Sequence, residues 1–459
     1  MKDAAIFKPP CPTPLSPVLG LMRCIAKGEG DLLSLIPKEA YEVDIGRLGY
    51  SRRSIVIVNK PEYTRHIMTD ALPLFPKNDL MKGALAPLVG DSVFVSDGPV
   101  WERQRRMVEP AFSFIKLGVA FESMLAAVND FQKKLLQYAN KNEVFSLDFS
   151  MSHLTADIIC RTMFSTSLES DVALDVFESF SIFERKCSNV KLTQLIMGKP
   201  WSNVKQPDEV LAACLRIRQR LGLLIDRCIE DPEQREGLAR SIIEARDKNN
   251  DDAFTREELI DQLGVFFLAG HETTASVLTW AFYIIASQPL IAERIRQEVE
   301  EHVGNNSVGF QDIKKLSYTR NVFRETLRLY PPLTFIPRVA AENCEVDGYK
   351  IKRGAMVMIA PWTIHRHRHY WQEPDFFDPD RFSEAREHEI KRGSYIPFGQ
   401  GPRVCAGASF AQIESTLILA SIVRAFDFEL IEPEHIYPVA RLTTRPLNEI
   451  ECRVHSRTN

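Results

Sequence analysis

The chain has 459 residues, of which 45% are hydrophobic and 26% are charged, and its formal net charge is −4. This composition is typical of globular proteins, and the small negative charge excludes bulk attraction to nucleic acid or to an anionic membrane. No linker-like stretch divides the sequence, so we expect one large domain.

The first 20 residues contain five prolines and no long apolar run. They therefore predict neither a signal peptide nor a membrane anchor. We expect residues 1–40 to form an irregular N-terminal arm and residues 41–459 to form a single domain. No later stretch approaches the roughly 18 apolar residues of a membrane-spanning helix, so the sequence predicts a soluble, cytoplasmic protein.

Alternating apolar residues and many β-branched side chains over residues 41–60 predict a two-stranded hairpin. Helical periodicity then dominates from residue 60 to residue 303, with breaks at about residues 188–208 and 248–255. Short strand-like pieces return at residues 335–360. The pattern predicts a mainly α fold with a smaller β portion.

The clearest helix begins at Thr255, which fits a capping box with Glu258 and precedes a helical pattern that ends before Pro289. At 1.5 Å per residue this helix is about 50 Å long. Apolar residues cover most of its surface, so we expect it to be buried. Two further helices are predicted, over residues 318–330 and 407–426.

Nine cysteines are scattered along the chain without a CxxC pair, which predicts free thiols in a reducing compartment and no structural zinc site. Cys405 stands in a different setting. Gly401 permits a tight turn with positive φ, Gly407 permits close approach of a flat ligand, and a predicted helix follows. Arg403 and the helix N-terminus favour a thiolate, which suits metal ligation or nucleophilic attack.

This segment resembles the heme-binding loop of the cytochrome P450 family, which carries five residues at fixed spacing: Phe398, Gly401, Arg403, Cys405 and Gly407. The resemblance implies that Cys405 ligates the iron of heme b, iron protoporphyrin IX. A cysteine thiolate pushes electron density toward O–O cleavage in such proteins. It also implies the P450 fold, with the heme between the long central helix and the cysteine loop with its last helix.

Glu325 and Arg328 lie three residues apart on a predicted helix and can pair. Alone, such a pair is usually a solvated surface salt bridge. The order of the motifs resembles the family's Glu-x-x-Arg helix, in which a later arginine, here Arg381, completes a buried network. The implied role of these three residues is structural.

The long helix contains a glycine, an acid and two hydroxyl groups within an apolar sequence, and these residues lower the stability of a buried helix. The hydroxyls can bond back to the preceding turn and leave room for a ligand. The segment from Ala269 and Gly270 to Thr274 resembles the family's oxygen-activating motif. The resemblance implies that Glu272 and Thr273 are the catalytic acid and alcohol and that Ala269 and Gly270 border the heme. His271 is expected to be a packed histidine.

Trp101 and Arg105 stand four residues apart, on one helix face, and an arginine can bind a carboxylate through two parallel hydrogen bonds. The resemblance implies that both residues, with Arg338, reach the heme propionates. His365 resembles a further propionate contact. Three histidines alternate over residues 365–369, but no carboxylate or cysteine partner favours a metal site there.

The pocket implied by the resemblance is mainly apolar, which favours a hydrophobic substrate such as a terpenoid, a steroid or a fatty acid, with a terpenoid preferred. The residues expected to line it are Leu85, Leu88, Val89, Phe266, Leu333, Phe335 and Thr443.

The resemblance implies a monooxygenase that inserts one atom of O2 into this substrate and releases the other as water. We recognise no flavin or iron–sulfur module, so we expect electrons from a separate ferredoxin with its reductase. A basic face would suit such an acidic partner, and the candidate contributors are Arg103, Arg106, Arg366 and Arg368. We expect a monomer.

Three alternatives remain open. The first keeps the fold as an isomerase or dehydratase, and the acid–alcohol pair argues against it. The second is a heme-binding protein without turnover. The third is a helical interaction protein without heme, which requires the Cys405 loop to be a coincidence.

Overall fold

A computed structural model describes residues 7–27, 32–49, 51, 53–187, 197–198, 206–230 and 237–457. The predicted break at residues 188–208 lies almost entirely outside these residues. The α-helices are α1 (Pro17–Lys27), α2 (Pro61–Arg65), α3 (Asp79–Val89), α4 (Gly98–Val108), α5 (Phe114–Lys141), α6 (Leu147–Phe164), α7 (Asp171–Cys187), α8 (Asp208–Glu230), α9 (Leu238–Ile243), α10 (Arg256–Ser287), α11 (Pro289–His302), α12 (Ser317–Leu329), α13 (Pro361–Ile364) and α14 (Ala408–Ala425).

The β-strands are short and form small sheets around the helices. They are β1 (Ile45–Leu48), β2 (Ile55–Val58), β3 (Phe145–Ser146), β4 (Ile336–Val339), β5 (Cys344–Val346), β6 (Tyr349–Ile351), β7 (Met356–Ile359), β8 (Phe426–Leu430), β9 (Pro438–Ala440), β10 (Thr444–Pro446) and β11 (Glu451–Ser456).

The largest sheet has the order β1-β2-β7-β4. The predicted hairpin supplies β1 and β2, which pair antiparallel, and β2 pairs parallel with β7. All four residues of β2 are buried, as expected for an inner strand of β-branched residues. Strand β4 closes the other edge and carries Arg338 opposite Val357. The sheet thereby fixes the position of a predicted site residue.

Helix α10 runs through the core. Thr255 and Glu258 form both hydrogen bonds of the predicted capping box, at 3.2 and 2.7 Å, and the next helix begins at Pro289. The helix lies against α6, where a Cβ on Gly270 would come within 2.3 Å of Ile159 Cδ1. Gly270 therefore permits the close approach of these two helices.

The mainly α fold with a minor β portion is confirmed. One expectation was wrong: the N-terminal arm is not irregular throughout, because α1 occupies Pro17–Lys27. Proline is well tolerated in the first turn of a helix, and Pro17 begins this one. The arm also contains 3₁₀ turns at Leu32–Leu35 and Lys38–Tyr41.

Within the described part of the chain, no single helix is both long and apolar enough to cross a membrane. Two bent pairs of consecutive helices meet the length and composition requirement together, α4 through α5 and α10 with α11.

We predict that Thr255→Ala destabilises the protein by about 1 kcal/mol, because the first turn of α10 loses its side-chain cap. Urea unfolding followed by circular dichroism measures the change. Thr255→Ser retains the hydroxyl and serves as the matched control. Equal stability of the alanine variant and the native protein would contradict the proposed role of the cap.

Candidate functional site

The loop before α14 is held by its own backbone. The N–H of Cys405 donates to the Phe398 carbonyl at 2.9 Å, and the N–H of Val404 donates to the Gly401 carbonyl at 3.0 Å. Gly401 has a φ of +72°, and a Cβ there would lie 2.4 Å from the carbonyl oxygen of Met68. Only glycine fits this turn, so the sequence pattern around Cys405 follows from its backbone geometry.

Cys405 keeps exposed surface, whereas the protein atoms around its sulfur displace water and raise the pKa of the thiol above its usual value. The backbone N–H of Gly407 and the charge of Arg105 act in the opposite direction. The expected contribution of Arg403 is not found, because its guanidinium turns toward Asp97. A thiolate here depends on a further positive charge, which a bound metal ion would supply.

Three basic side chains converge beside this loop. Arg338 and Arg403 are both mostly buried, and the Nε of each lacks a hydrogen-bond partner among the described residues. Burial, with the neighbouring Arg403, lowers the pKa of Arg338 to about 10. Burial and the charge of Arg403 lower the pKa of Lys77 to about 6. Asp97 is the carboxylate that pairs with Arg403, at 2.6 Å.

Unsatisfied buried donors and mutually repelling cations favour an anionic ligand. The two propionates of a heme are carboxylates that match this set of donors. Trp101 lies beneath the guanidinium of Arg403, whose centre is 5.0 Å from the ring centroid. The sequence analysis did not identify Lys77 as a site residue, because an isolated lysine outside any motif does not indicate a binding role.

Arg105 lies at the Cys405 side of this group. Its Nη1 donates to the Val404 carbonyl at 2.7 Å, its Nη2 to Glu109 at 3.3 Å, and its Nε lacks a partner among the described residues. Arg105 therefore braces the residue before Cys405 and retains one donor for a further ligand.

His365 has a different task from the predicted propionate contact. Its ring is fully buried, its Nδ1–H donates to the Arg328 carbonyl at 3.2 Å, and its Nε2 accepts the N–H of Ile396 at 2.8 Å. Burial, reinforced by Arg328, lowers its pKa to about 3, so the ring is neutral. With both nitrogens occupied by backbone, His365 does not fit a propionate ligand. His367 is likewise bound to backbone, at the Val43 carbonyl.

The structure brings Glu325, Arg328 and Arg381 together. Arg328 forms two hydrogen bonds with Glu325, at 2.7 and 2.8 Å, and neither side chain is exposed. Arg381 Nε donates to the same carboxylate at 3.3 Å. The guanidinium groups also donate to five carbonyl oxygens, those of His365, Pro374, Phe376, Gln372 and Glu373. This network ties α12 to the chain that leads to Cys405.

One face of α10 is only partly covered by the rest of the protein. Between Leu259 and Ile285, the residues that are not fully buried are Phe266, Ala269, Gly270 and Thr273. Their spacing of three, four and seven places them on a single helical face. Thr273 Oγ1 donates to the Ala269 carbonyl at 2.6 Å, the expected bond to the preceding turn.

The predicted pocket residues divide into two groups. Leu333 and Phe335 are half-buried, like Phe266 on α10. The other three apolar residues, Leu85, Leu88 and Val89, are fully packed in the core. Thr443 is also buried, and its hydroxyl bonds Glu272 at 2.5 Å. The accessible apolar lining therefore comes from α10 and from the segment before β4.

Glu272 is held by residues from the C-terminal part of the chain. Arg445 forms a salt bridge with both carboxylate oxygens, and Thr443 adds a hydrogen bond. Burial alone would raise the pKa of Glu272, but Arg445 outweighs it and lowers the pKa to about 2. Glu272 is therefore ionised at neutral pH. Its partner Arg445 was missed because 173 residues separate the two in sequence.

Helix α14 adds a second buried acid that the sequence analysis missed. Glu414 is fully buried, and burial raises its pKa well above the usual range, while its neighbour Thr274 on α10 acts weakly in the other direction. The neutral carboxyl group of Glu414 thus lies next to the hydroxyl of Thr274. The sequence did contain a signal for Glu414, because this acid lies nine residues after Cys405 on an otherwise apolar helix.

The predicted basic face does not form from the four named arginines. Arg366 is buried, with its guanidinium centre 3.7 Å from the Trp362 ring centroid. Apolar residues on both sides draw this segment into the core. The other three are paired with carboxylates at 2.7 to 3.2 Å, Arg103 with Glu258, Arg106 with Asp247 and Arg368 with Asp375.

We predict that Glu325→Gln destabilises the protein by about 3–5 kcal/mol, because it leaves buried Arg328 without its anionic partner. Glu387→Gln removes a carboxylate that pairs with Arg324 but is half exposed, and it should cost less than about 1 kcal/mol. Urea unfolding of both variants gives the comparison. Similar losses in the two would show that the Glu325 network is not a major source of stability.

Comparison with known proteins agrees with this geometry. The cytochrome P450 family model matches residues 9–449. Cyclooctatin synthase of Streptomyces melanosporofaciens is 29% identical over 443 residues, covering 95% of this chain and 93% of that protein. Cyclooctat-9-en-7-ol 5-monooxygenase of the same organism is 29% identical over 416 residues, covering 88% and 86%. LUTEIN DEFICIENT 5, a chloroplastic protein of Arabidopsis thaliana, is 31% identical over 404 residues, covering 84% and 67%.

Among solved structures, the heme domain of cytochrome P450DA is similar, with a TM-score of 0.82 over 99% of this chain and 98% of that chain, at 21% identity. A mutant of that domain gives 0.78 over 90% of each chain, at 22% identity. At these identities the likeness shows a shared fold. The family model spans nearly the whole chain, and the chain belongs to the cytochrome P450 family of heme-containing monooxygenases.

Proposed function

We propose that this protein inserts one atom of O2 into a hydrophobic terpenoid, with electrons supplied by a separate ferredoxin and its reductase. The observation that carries the proposal is the accessible face of α10, on which Phe266 and Ala269 adjoin Thr273. An apolar surface beside an acid–alcohol pair suits a substrate that binds through hydrophobic contact and a reaction that consumes protons.

We assign a role in heme binding to each of five residues. Cys405 binds the iron, and Arg338, Arg403, Arg105 and Lys77 supply donors for the propionates. When bound, the heme supplies the redox chemistry that activates dioxygen. The chain itself orients the substrate, excludes water from the pocket and holds protons, with Thr273 as the alcohol and Glu272 as the acid.

The choice of a terpenoid rests on the apolar lining and on the relatives. Leu333 and Phe335 add half-buried apolar surface. None of the residues predicted to line the pocket is charged. One Streptomyces relative is named for oxygenation of cyclooctat-9-en-7-ol, which by its name is an unsaturated alcohol. A carbon-rich substrate with few polar groups fits both observations.

We propose a ferredoxin as the electron donor, with Arg106 as one contact for it near Cys405. Arg106 is paired with Asp247, but it keeps more than a third of its side chain exposed and lies on α4, next to the residue that braces Val404. An acidic partner bound there would lie close to Cys405. We further propose that the protein is a cytoplasmic monomer, which sedimentation and cell fractionation test.

Reduction in the presence of carbon monoxide tests the heme ligand. We predict the absorption band of a thiolate-ligated heme for the native protein and its loss in Cys405→Ala. Cys452→Ala, which changes a buried cysteine in β11, is the control and should keep the band. A native protein without this band, or an unchanged band in Cys405→Ala, would refute the assignment of Cys405 as the ligand.

A spin-state screen tests the substrate class. We predict that terpenoids displace the water bound to the iron and shift the ferric spectrum toward high spin, whereas anionic fatty acids of similar size shift it less. The best compound should then yield a product one oxygen atom heavier with NADH, ferredoxin and reductase, and with consumption of O2. Conversion without O2 uptake would favour an isomerase or dehydratase, and no conversion with bound heme would favour a heme-binding protein without turnover.

A further inference from the structure

Gln262 is a fully buried residue of α10 that holds the segment of residues 91–96, which lies between α3 and α4. Its Oε1 accepts the N–H of Val93 at 3.1 Å. The preceding residue of the helix, Asp261, accepts the N–H of Asp91 at 3.2 Å. Two consecutive side chains of α10 therefore bind two N–H groups of this segment, and both act as acceptors.

The amide of Gln262 has two N–H donors that the contact with this segment does not use. The backbone N–H of Val93 requires an acceptor, so it fixes which end of the amide is oxygen and which is nitrogen. Nε2 has no hydrogen-bond partner among the described residues, and a buried donor without a partner is destabilising. An acceptor alone, like the carboxylate of Asp261, would hold the segment equally well. The N–H groups of Gln262 therefore need another explanation.

A second buried glutamine holds the same segment with both ends of its amide. Gln104 on α4 accepts the hydroxyl of Ser96 at 2.7 Å, and its Nε2 donates to the Asp91 carbonyl at 2.7 Å. Its side chain is only 2% exposed, so burial in this region does not prevent an amide from being satisfied at both ends. The unpaired nitrogen of Gln262 is therefore a property of its particular position on α10.

A second polar group at this contact also lacks a partner. Ser92 directly precedes Val93 and is fully buried, and its hydroxyl has no hydrogen-bond partner in the part of the chain that the structure describes. Its backbone is fixed, because its carbonyl accepts the N–H of Ser96 at 2.9 Å. The contact between α10 and residues 91–96 thus contains an amide donor and a hydroxyl group, which are groups that bind an alcohol or carbonyl oxygen.

Gln262 lies on the face of α10 that is only partly covered. It precedes Phe266 by four residues, Ala269 by seven and Thr273 by eleven, and these spacings place all four residues on one helical face. At 1.5 Å per residue, Gln262 lies about 10 Å along the helix axis from Ala269, and the half-buried ring of Phe266 belongs to the turn between them. The face therefore carries apolar surface next to Thr273 and a hydrogen-bond donor one turn beyond Phe266.

We propose that Gln262 is a specificity-determining residue whose Nε2 donates a hydrogen bond to an oxygen atom of the substrate. The substrate is then an oxygenated terpenoid, an alcohol or a ketone, whose oxygen lies about 10 Å from the carbon atom that is oxidised. Its apolar part passes Phe266 on the way to Thr273. The proposal rests on the monooxygenase function above and narrows the substrate class of that site.

The burial of Gln262 makes this hydrogen bond selective. Its side chain is not exposed, so a ligand reaches the amide only by displacing the side chains that cover it. This displacement costs about the same for an alcohol and for the corresponding hydrocarbon, whereas only the alcohol gains the hydrogen bond. A site that donates to a substrate oxygen therefore discriminates against the analogue that lacks this oxygen.

A series of imidazoles tests the distance without turnover. A 1-alkylimidazole binds a heme iron through its ring nitrogen, and its tail can carry a terminal hydroxyl group. Absorption titration of the holoenzyme compares each hydroxyl-bearing compound with the alkylimidazole of the same length, for tails from hexyl to tetradecyl. We expect the hydroxyl group to strengthen binding about fivefold at one tail length, where it reaches Gln262, and to weaken binding at the other lengths.

Variants assign this gain in affinity to the amide. Gln262→Met keeps the length of the side chain and removes both N–H groups, so it should abolish the gain while the plain alkylimidazoles keep their affinity. Gln297→Met changes an exposed glutamine on α11 and, as the matched control, should retain the gain. If the native protein shows no gain at any tail length, or if Gln262→Met keeps it, Gln262 only holds Val93 and the proposal is refuted.

An ordered water molecule is the competing partner of the same amide. A crystal structure of the holoenzyme with the best hydroxyl-bearing imidazole should place the hydroxyl oxygen within hydrogen-bond distance of Nε2. A water molecule on Nε2, with the hydroxyl group elsewhere, would overturn the proposal. The reduced carbon monoxide spectrum distinguishes this failure from failure of the proposed function. A normal thiolate-heme band without a gain refutes the role of Gln262 alone, whereas a missing band refutes the monooxygenase.

Discussion

The position of the Cys405 loop depends on one buried guanidinium, that of Arg328. A fully buried charge is tolerated only when it is paired and its donors are satisfied. Glu325 neutralises Arg328, and its remaining N–H groups bind carbonyls of His365, Pro374 and Phe376. These carbonyls belong to a chain segment with little regular structure, so the guanidinium performs the role that a sheet or helix ladder performs elsewhere.

From this guanidinium the hydrogen bonds continue to the cysteine. The His365 ring binds the Arg328 carbonyl on one side and the N–H of Ile396 on the other. The Ile396 carbonyl accepts the N–H of Gly399, and the Phe398 carbonyl accepts the N–H of Cys405. Loss of charge balance at Glu325 would therefore loosen the cysteine loop as well as α12. The histidine is neutral because only a neutral ring can donate on one side and accept on the other.

Features with a local cause were predictable from the sequence. The cap at Thr255, the turn at Gly401 and the pairing of Glu325 with Arg328 each involve residues a few positions apart. Features set by distant contacts were not: Arg403 turns to Asp97, Arg366 is buried on Trp362, and Glu272 meets Arg445. The sequence alone does not reveal the partner of an arginine. Whether the arginine is buried depends on the tertiary fold, which brings a carboxylate or an aromatic ring to it.

The surroundings of the cysteine loop and of Glu272 differ in how their charges are balanced. Beside the cysteine loop, the buried guanidinium groups of Arg338 and Arg403 keep N–H donors without a partner among the described residues, so they suit an anion with several oxygen atoms. Behind α10, Arg445 binds both carboxylate oxygens of buried Glu272 and keeps this acid ionised. Arginine is therefore the partner of a carboxylate behind α10, whereas beside the cysteine loop two buried arginines keep N–H donors that no described residue accepts. Only the second arrangement leaves room for an anionic group to bind.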